Sequence, residues 1–217
     1  MGGHLSGRTR VVVYNTDSLT EADLPADFWG FADERRRGRL GWPPTDAFFQ
    51  TMVTGMGALW GDERAREWLE AIQANEPVIY PKNTPIVAAV GASEIDVGLV
   101  NHYYLHQFLA EEGESFPPRN YHLPDGGPGS FVMVTGAGIL ATASNCRGAE
   151  SSLDFLLSPV GQQCFASQTH EYPLVESVAT GRNLVPLQSV NNPAIPLIDL
   201  ADLEGTQRML REVGILP

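Results

Sequence analysis

No apolar run in this 217-residue chain approaches the roughly 20 residues needed to span a bilayer, so no transmembrane helix is expected. Basic residues are also scarce. Lys and Arg number 14 against 26 Asp and Glu, giving a formal charge of −12 and a pI near 4.7. Nucleic acid and anionic membrane surfaces demand clustered Lys and Arg, and the one cluster here, Arg35 to Arg39, is too short to supply them. No nucleic-acid partner is expected. Cysteine is almost missing: Cys146 and Cys164 fit two thiols or one bridge, and without Cys-x-x-Cys spacing they set aside a zinc or redox motif and leave the compartment open. The opening "MGGHLSGRTR" lacks the apolar h-region of a secretion signal. Several catalytic signatures are absent as well: there is no Gly-x-Ser-x-Gly, no His-Glu-x-x-His and no Gly-x-x-x-x-Gly-Lys-Ser/Thr, while His170 and Glu171 stand just before a proline that spoils a metal-binding helix.

What remains, 43% apolar and 18% charged, is the composition of a globular protein. "RVVVYN" (10–15) reads as a buried strand and "GRLGW" as a second, with a polar stretch between them that holds a short helix at most. From Thr45 the pattern turns helical, with Phe48, Phe49, Met52, Val53, Met56 and Leu59 at spacings of three and four and Thr45 or Asp46 as N-cap. A helix over 62–75, a strand at "PVIY", a helix opening at Asn83 and a strand at "IDVGLVN" follow. This alternation predicts an α/β lobe with a largely parallel sheet between residue 10 and about residue 125. "FVMVTGAGILATA" reads as a long apolar strand stretch. Beyond residue 141 the sequence offers two short helices, a Pro- and Asn-rich loop and a terminal helix over 203–213, with hardly any strand to pack them on.

Two features could carry chemistry. "LVNHYYLHQF" delivers Tyr103 and Tyr104 where the apolar strand gives way to a helix. One reading is an aromatic pair covering a core edge, since a phenol is ordinarily neutral near pH 7. The other is a metal site, because a strongly charged cation displaces the phenolic proton and hard phenolate oxygen suits hard Fe³⁺. Two phenolates would supply only part of the charge and of the ligand shell, so other groups must complete such a site. The second feature is the helix start "PTDAFF" (44–49), whose backbone N–H groups form an anion seat, although an Asp46 N-cap would fill that seat with its own carboxylate. "GAGILA" (136–141) formally fits a Gly-x-Gly-x-x-Ala dinucleotide fingerprint, but the residues after it read as strand and no second βαβ strand follows, so the match is judged accidental. A nucleotide-dependent enzyme would be betrayed by saturable NAD binding, which is not expected. The five histidines are scattered.

In order along the chain, "SGRTRVVVYNTDSL", "GRLGWPPTDAFFQ", "YPKNTPIVAAV", "SEIDVGLVNHYYL", "GAGILATASN" and "EYPLV" resemble bacterial ferric-iron-binding proteins, the solute receptors of iron ABC importers. The resemblance implies a type II periplasmic-binding-protein-like α/β fold, periplasmic or extracytoplasmic location, importer membrane subunits as partners, and binding without catalysis. It implies Tyr103 and Tyr104 as Fe³⁺ ligands. It further implies Asn83 and Asn101 beside an accompanying carbonate or phosphate, with Thr45, Asp46, Ala47 and Phe48 at the helix start next to them. Asp46, Ala47 and Phe48 depart from the small residues common there, which puts phosphate in doubt, and Phe48 stands where a subgroup carries a third tyrosine. The chain resembles a second lobe, about 12–132, plus the C-terminal part of an incomplete first lobe, 1–11 and 133–217, able to pair with another copy. The expected function is a fragment of a ferric receptor; the alternatives are a receptor for another small solute, with the tyrosines stacking on an organic ligand, or a non-binding remnant.

Overall fold

The computed structural model describes residues 2–217. In chain order its elements are β1 (Gly2–Asn15), β2 (Leu40–Trp42), α1 (Ala47–Trp60), α2 (Asp62–Ala74), β3 (Val78–Ile79), α3 (Asn83–Gly91), β4 (Val97–Asn101), α4 (Tyr103–Glu112), β5 (Pro118–Tyr121), β6 (Val132–Gly138), α5 (Cys146–Leu157), α6 (Pro159–Cys164), β7 (Tyr172–Pro173) and α7 (Leu203–Glu212). Short 3-10 turns fill the polar stretch after β1. Two compact units emerge, Arg10–Phe131 with Val190–Pro217, and residues 2–9 with Val132–Ser189. The sequence reading grouped all of 133–217 together; here residues 190–217 belong with the tyrosine-bearing unit.

In that larger unit the strand order is β3-β2-β4-β1-β5. β2 is parallel to β3 and β4, whereas β1 is antiparallel to both β4 and β5. The largely parallel sheet expected from the sequence is therefore mixed. Strands β2 to β5 are joined through helical crossovers and share one direction, while β1 precedes the first crossover and runs against them. Both faces of β1 are covered, which is why "VVVY" reads as continuous rather than alternating apolar residues. Val12 and Tyr14 face a core built with Leu99, Phe49, Met52, Met56, Trp68 and Leu69, whereas Val11 and Val13 face Ile86, Val87, Val90 and Leu105.

The terminal helix α7 joins the first of these cores through Met209 and Leu210, and the Thr54 and Thr206 hydroxyls meet at 2.7 Å beneath it. On the opposite face α3 lies so close to β4 that a Cβ on Gly98 would sit 2.2 Å from Ile86 Cγ2, so glycine there is what lets α3 approach. That approach carries Asn83, the first residue of α3, to the end of β4.

In the smaller unit β1 pairs with β6 from Gly2↔Gly138 to Thr9↔Val132, with a bulge between His4 and Ser6, and β7 pairs with β1 at Ser6 and Gly7. Buried Gln162 satisfies its whole amide here, donating to Leu5 O and Leu156 O and accepting from Leu174 N. The long strand expected through residue 143 stops at Gly138. Gly136 and Gly138 of "GAGILA" are strand residues paired with His4 and Gly2, and the next helix starts only at Cys146, capped by Asn145, so the strand-turn-helix of a dinucleotide site is not formed. Two short strands, β5 and β7, had no clear sequence signal.

Candidate anion and metal site at the start of α4

A single residue, His102, links β4 to α4, and its φ of −56° and ψ of −37° are already helical. Tyr103 and Tyr104 are thus the first two residues of the helix. Neighbouring helical side chains leave about 100° apart, close enough for long rings to turn together. The two rings stack with centroids 4.3 Å apart at an interplanar angle of 30°. Tyr103 is buried, at 9% exposure, and Tyr104 half-buried. Both phenols therefore sit in the first turn of α4, at the positive end of its dipole. The link itself is pinned from behind, with Asn120 Nδ2 donating to His102 O at 2.8 Å.

Beside the tyrosines lies a group that sequence reasoning missed. Arg10 and Asn101 are direct cross-strand partners in the β1–β4 pair, so their side chains leave the same face of the sheet. Arg10 is 1% exposed. Its Nη1 donates to Asn101 Oδ1 at 3.0 Å and to Asn83 Oδ1 at 3.5 Å, and Asn101 N donates to Asn83 Oδ1 at 3.1 Å. Arg10 Nε and Nη2, Asn83 Nδ2 and Asn101 Nδ2 are buried without a partner. Every one of these atoms is a donor. A buried guanidinium with three of its five N–H donors unsatisfied is costly, and a bound oxyanion is a ligand that removes the cost. Burial pulls the Arg10 guanidinium down to about 10, and the charges of Asp46, Tyr103 and Tyr104 oppose that fall, which places all four groups in one electrostatic neighbourhood. The available signal was a lone arginine leading an apolar strand.

At the start of α1 the cap is Asp46, not Thr45: Asp46 Oδ1 accepts from Phe48 N at 3.0 Å and from Phe49 N at 3.2 Å. Thr45 and Ala47 are exposed and Phe48 is half-buried. Among the described residues no three His, Cys, Asp or Glu side chains gather to hold a metal ion. A cavity of about 600 Å³ between α1 and α7, lined by Thr54, Asp62, Arg66, Asp202 and Thr206 among others, includes none of the tyrosines, Arg10, Asn83 or Asn101.

Residues 4–194 match the bacterial extracellular solute-binding protein family. The chain belongs to this family. The major ferric iron-binding protein of Neisseria meningitidis serogroup B is 33% identical over 97% of this chain and 64% of its own length, and the Fe(3+)-binding periplasmic protein of Serratia marcescens is 29% identical over 98% and 63% respectively. The chain therefore spans less than two thirds of these relatives. The crystal structure of iron-bound HitA from Pseudomonas aeruginosa superposes with a TM-score of 0.92 at 31% identity, covering 98% of this chain and 69% of that one. The fold is the type II periplasmic-binding-protein-like α/β fold expected from the sequence. The tyrosine pair stands at the start of α4, and the Arg10 cluster is drawn from β1, the end of β4 and the start of α3, so all of these groups lie on regular elements rather than on loops.

Proposed function

We propose that this chain is the ferric-iron-binding part of a solute receptor serving an ABC importer, taking Fe³⁺ as cargo on Tyr103 and Tyr104. The observation that carries the reading is the stacked phenol pair at the N-terminus of α4, next to a buried arginine with unused donors. Two phenolates leave one positive charge on Fe³⁺, and Arg10 and Asp46 offset each other. A small oxyanion, carbonate or phosphate, then offsets the remaining positive charge, held by Arg10 with Asn83 and Asn101 and reaching the metal. The names of the relatives support iron as the cargo and the periplasm as the location, and membership in a solute-binding family supports importer membrane subunits as partners. Binding without catalysis is the inference that accompanies family membership. As proposed lobes, residues 10–131 with 190–217 form the iron-bearing body, and residues 2–9 with 132–189 are part of a second body that pairs with another copy.

The test is a titration of Fe³⁺, offered as a weak chelate, while visible absorbance is followed. A phenolate-to-iron charge-transfer band should appear in the parent and vanish in Tyr103→Phe/Tyr104→Phe. The same donors would also seat the carboxylate of an organic solute against the rings. Saturable citrate binding with no band in the parent would replace the iron reading with that one.

A further inference from the structure

Arg10 keeps Nε and Nη2 unused, and these two nitrogens form one edge of the guanidinium. That edge presents two parallel N–H donors, the fork that matches two oxygens of a planar oxyanion or a carboxylate. β2 runs parallel to β4, which pairs with β1 through Asn101 and Arg10, so the start of α1 after β2 lies at the same edge of the sheet as the end of β4. This second natural seat, the N-terminal amides of α1, is not open. Asp46 fills it with both bonds on Oδ1, and its negative charge faces the Arg10 guanidinium and opposes the effect of burial there. A tetrahedral dianion set on Arg10 would therefore meet a fixed carboxylate where it needs donors, whereas a flat, singly charged oxyanion uses the arginine fork alone.

We propose that Asp46 is the anion-selectivity residue of this site: its carboxylate acts as a built-in occupant of the α1 amides, excludes phosphate, and leaves Arg10 to hold a small planar oxyanion of the carbonate class. This rests on the reading that an oxyanion sits beside the tyrosine pair. It assigns Asp46 a role in choosing the anion rather than in contacting the metal. Phosphate near pH 7 carries between one and two negative charges, so it is penalised by Asp46 more than bicarbonate is.

The experiment uses the whole, iron-free chain and calorimetric titration with inorganic phosphate and with bicarbonate near neutral pH. Glycine is tolerated at an N-cap and frees both amides, so Asp46→Gly tests occupancy; Asp46→Asn keeps the cap and removes only the charge. Phosphate should bind Asp46→Gly about tenfold or more tighter than the parent, and Asp46→Asn in between, while bicarbonate affinity changes little. Phosphate binding equal in parent and variants, or undetectable in all of them, overturns the proposal. Should Asp46→Gly not fold, unchanged phosphate affinity in Asp46→Asn overturns it in the same way. A parallel addition of Fe³⁺ reads the other question separately: a missing charge-transfer band sinks the iron reading, and the phosphate result still decides the role of Asp46.

Discussion

The two units of this chain use their apolar residues differently. The larger unit buries Phe49, Met52, Met56, Trp68 and Leu69 completely on one face of its sheet and Ile86, Val87 and Val90 on the other. In the smaller unit α5 is amphipathic yet buries no residue at all, and Phe155, Val160 and Leu140 are exposed at 59%, 69% and 75%. Its apolar burial is sparser, with Leu5, Met133, Ala166 and Tyr172 inside, and polar groups work beside it: the Gln162 amide and the Arg8–Glu171 pair at 3.2 Å, which Ser6 joins. An apolar core of the first kind holds its own backbone. The smaller unit has a thinner core and relies more on its strand ladder and on hydrogen bonds, each of which contributes only about 1 kcal/mol net. The candidate binding groups all lie in the unit that packs well, as preorganised sites require.

The sharpest way to break this comparison is by truncation of one aromatic in each unit. Phe49→Ala removes a fully buried ring that packs edge-on to Trp42 with centroids 5.5 Å apart, and should cost about 3–5 kcal/mol in denaturant unfolding. Phe155→Ala, on the uncovered face of α5, should stay within about 0.5 kcal/mol. Similar losses from the two would mean that the α5 face is covered in solution and that the units differ less than they look.

The sequence was most legible where a periodic pattern and a cap coincide. The spacing of Phe49, Met52, Val53 and Met56 with Asp46 ahead of it gave α1 almost to the residue. The paired phenols at a strand end singled out Tyr103 and Tyr104, and the family resemblance chose between an aromatic pair and a metal site; their stacking follows from the one-residue link at His102, which no periodicity reveals. The direction of β1 was illegible because a doubly buried strand looks the same whichever way its neighbours run. Arg10 was missed for a related reason. Its meaning depends on pairing with Asn101, 91 positions away, and strand register is not written locally.

Arg10 sharpens the contrast from within the well-packed unit, because a buried guanidinium with unused donors costs stability that apolar packing would not. Replacing a buried charged group by an apolar one of similar length is often neutral or stabilising by about 1–4 kcal/mol. Arg10→Met should accordingly leave the iron-free chain as stable as the parent or more so, and at the same time abolish bicarbonate binding and weaken Fe³⁺ retention against a competing chelator. A loss of more than about 2 kcal/mol would identify Arg10 as a structural strut whose donors are satisfied in the unliganded fold.

The smallest expected effect compares one histidine from each unit. Burial lowers the pKa of both His122 and His170 from the ordinary value of 6.5, and His122, with Nδ1 buried and without a partner, is the more enclosed of the two. A histidine whose folded pKa lies below its unfolded one is held neutral by the fold while the unfolded chain takes up a proton. Its contribution is therefore fully present above about 6.5 and is lost as the pH falls through the depressed folded value. Carboxylates titrate lower, so the interval just below 6.5 isolates the imidazoles. Denaturant midpoints measured across that interval should fall for the parent, and the fall should be reduced more by His122→Gln than by His170→Gln. The opposite order would place the tighter desolvation in the smaller unit, which the exposure of α5 argues against.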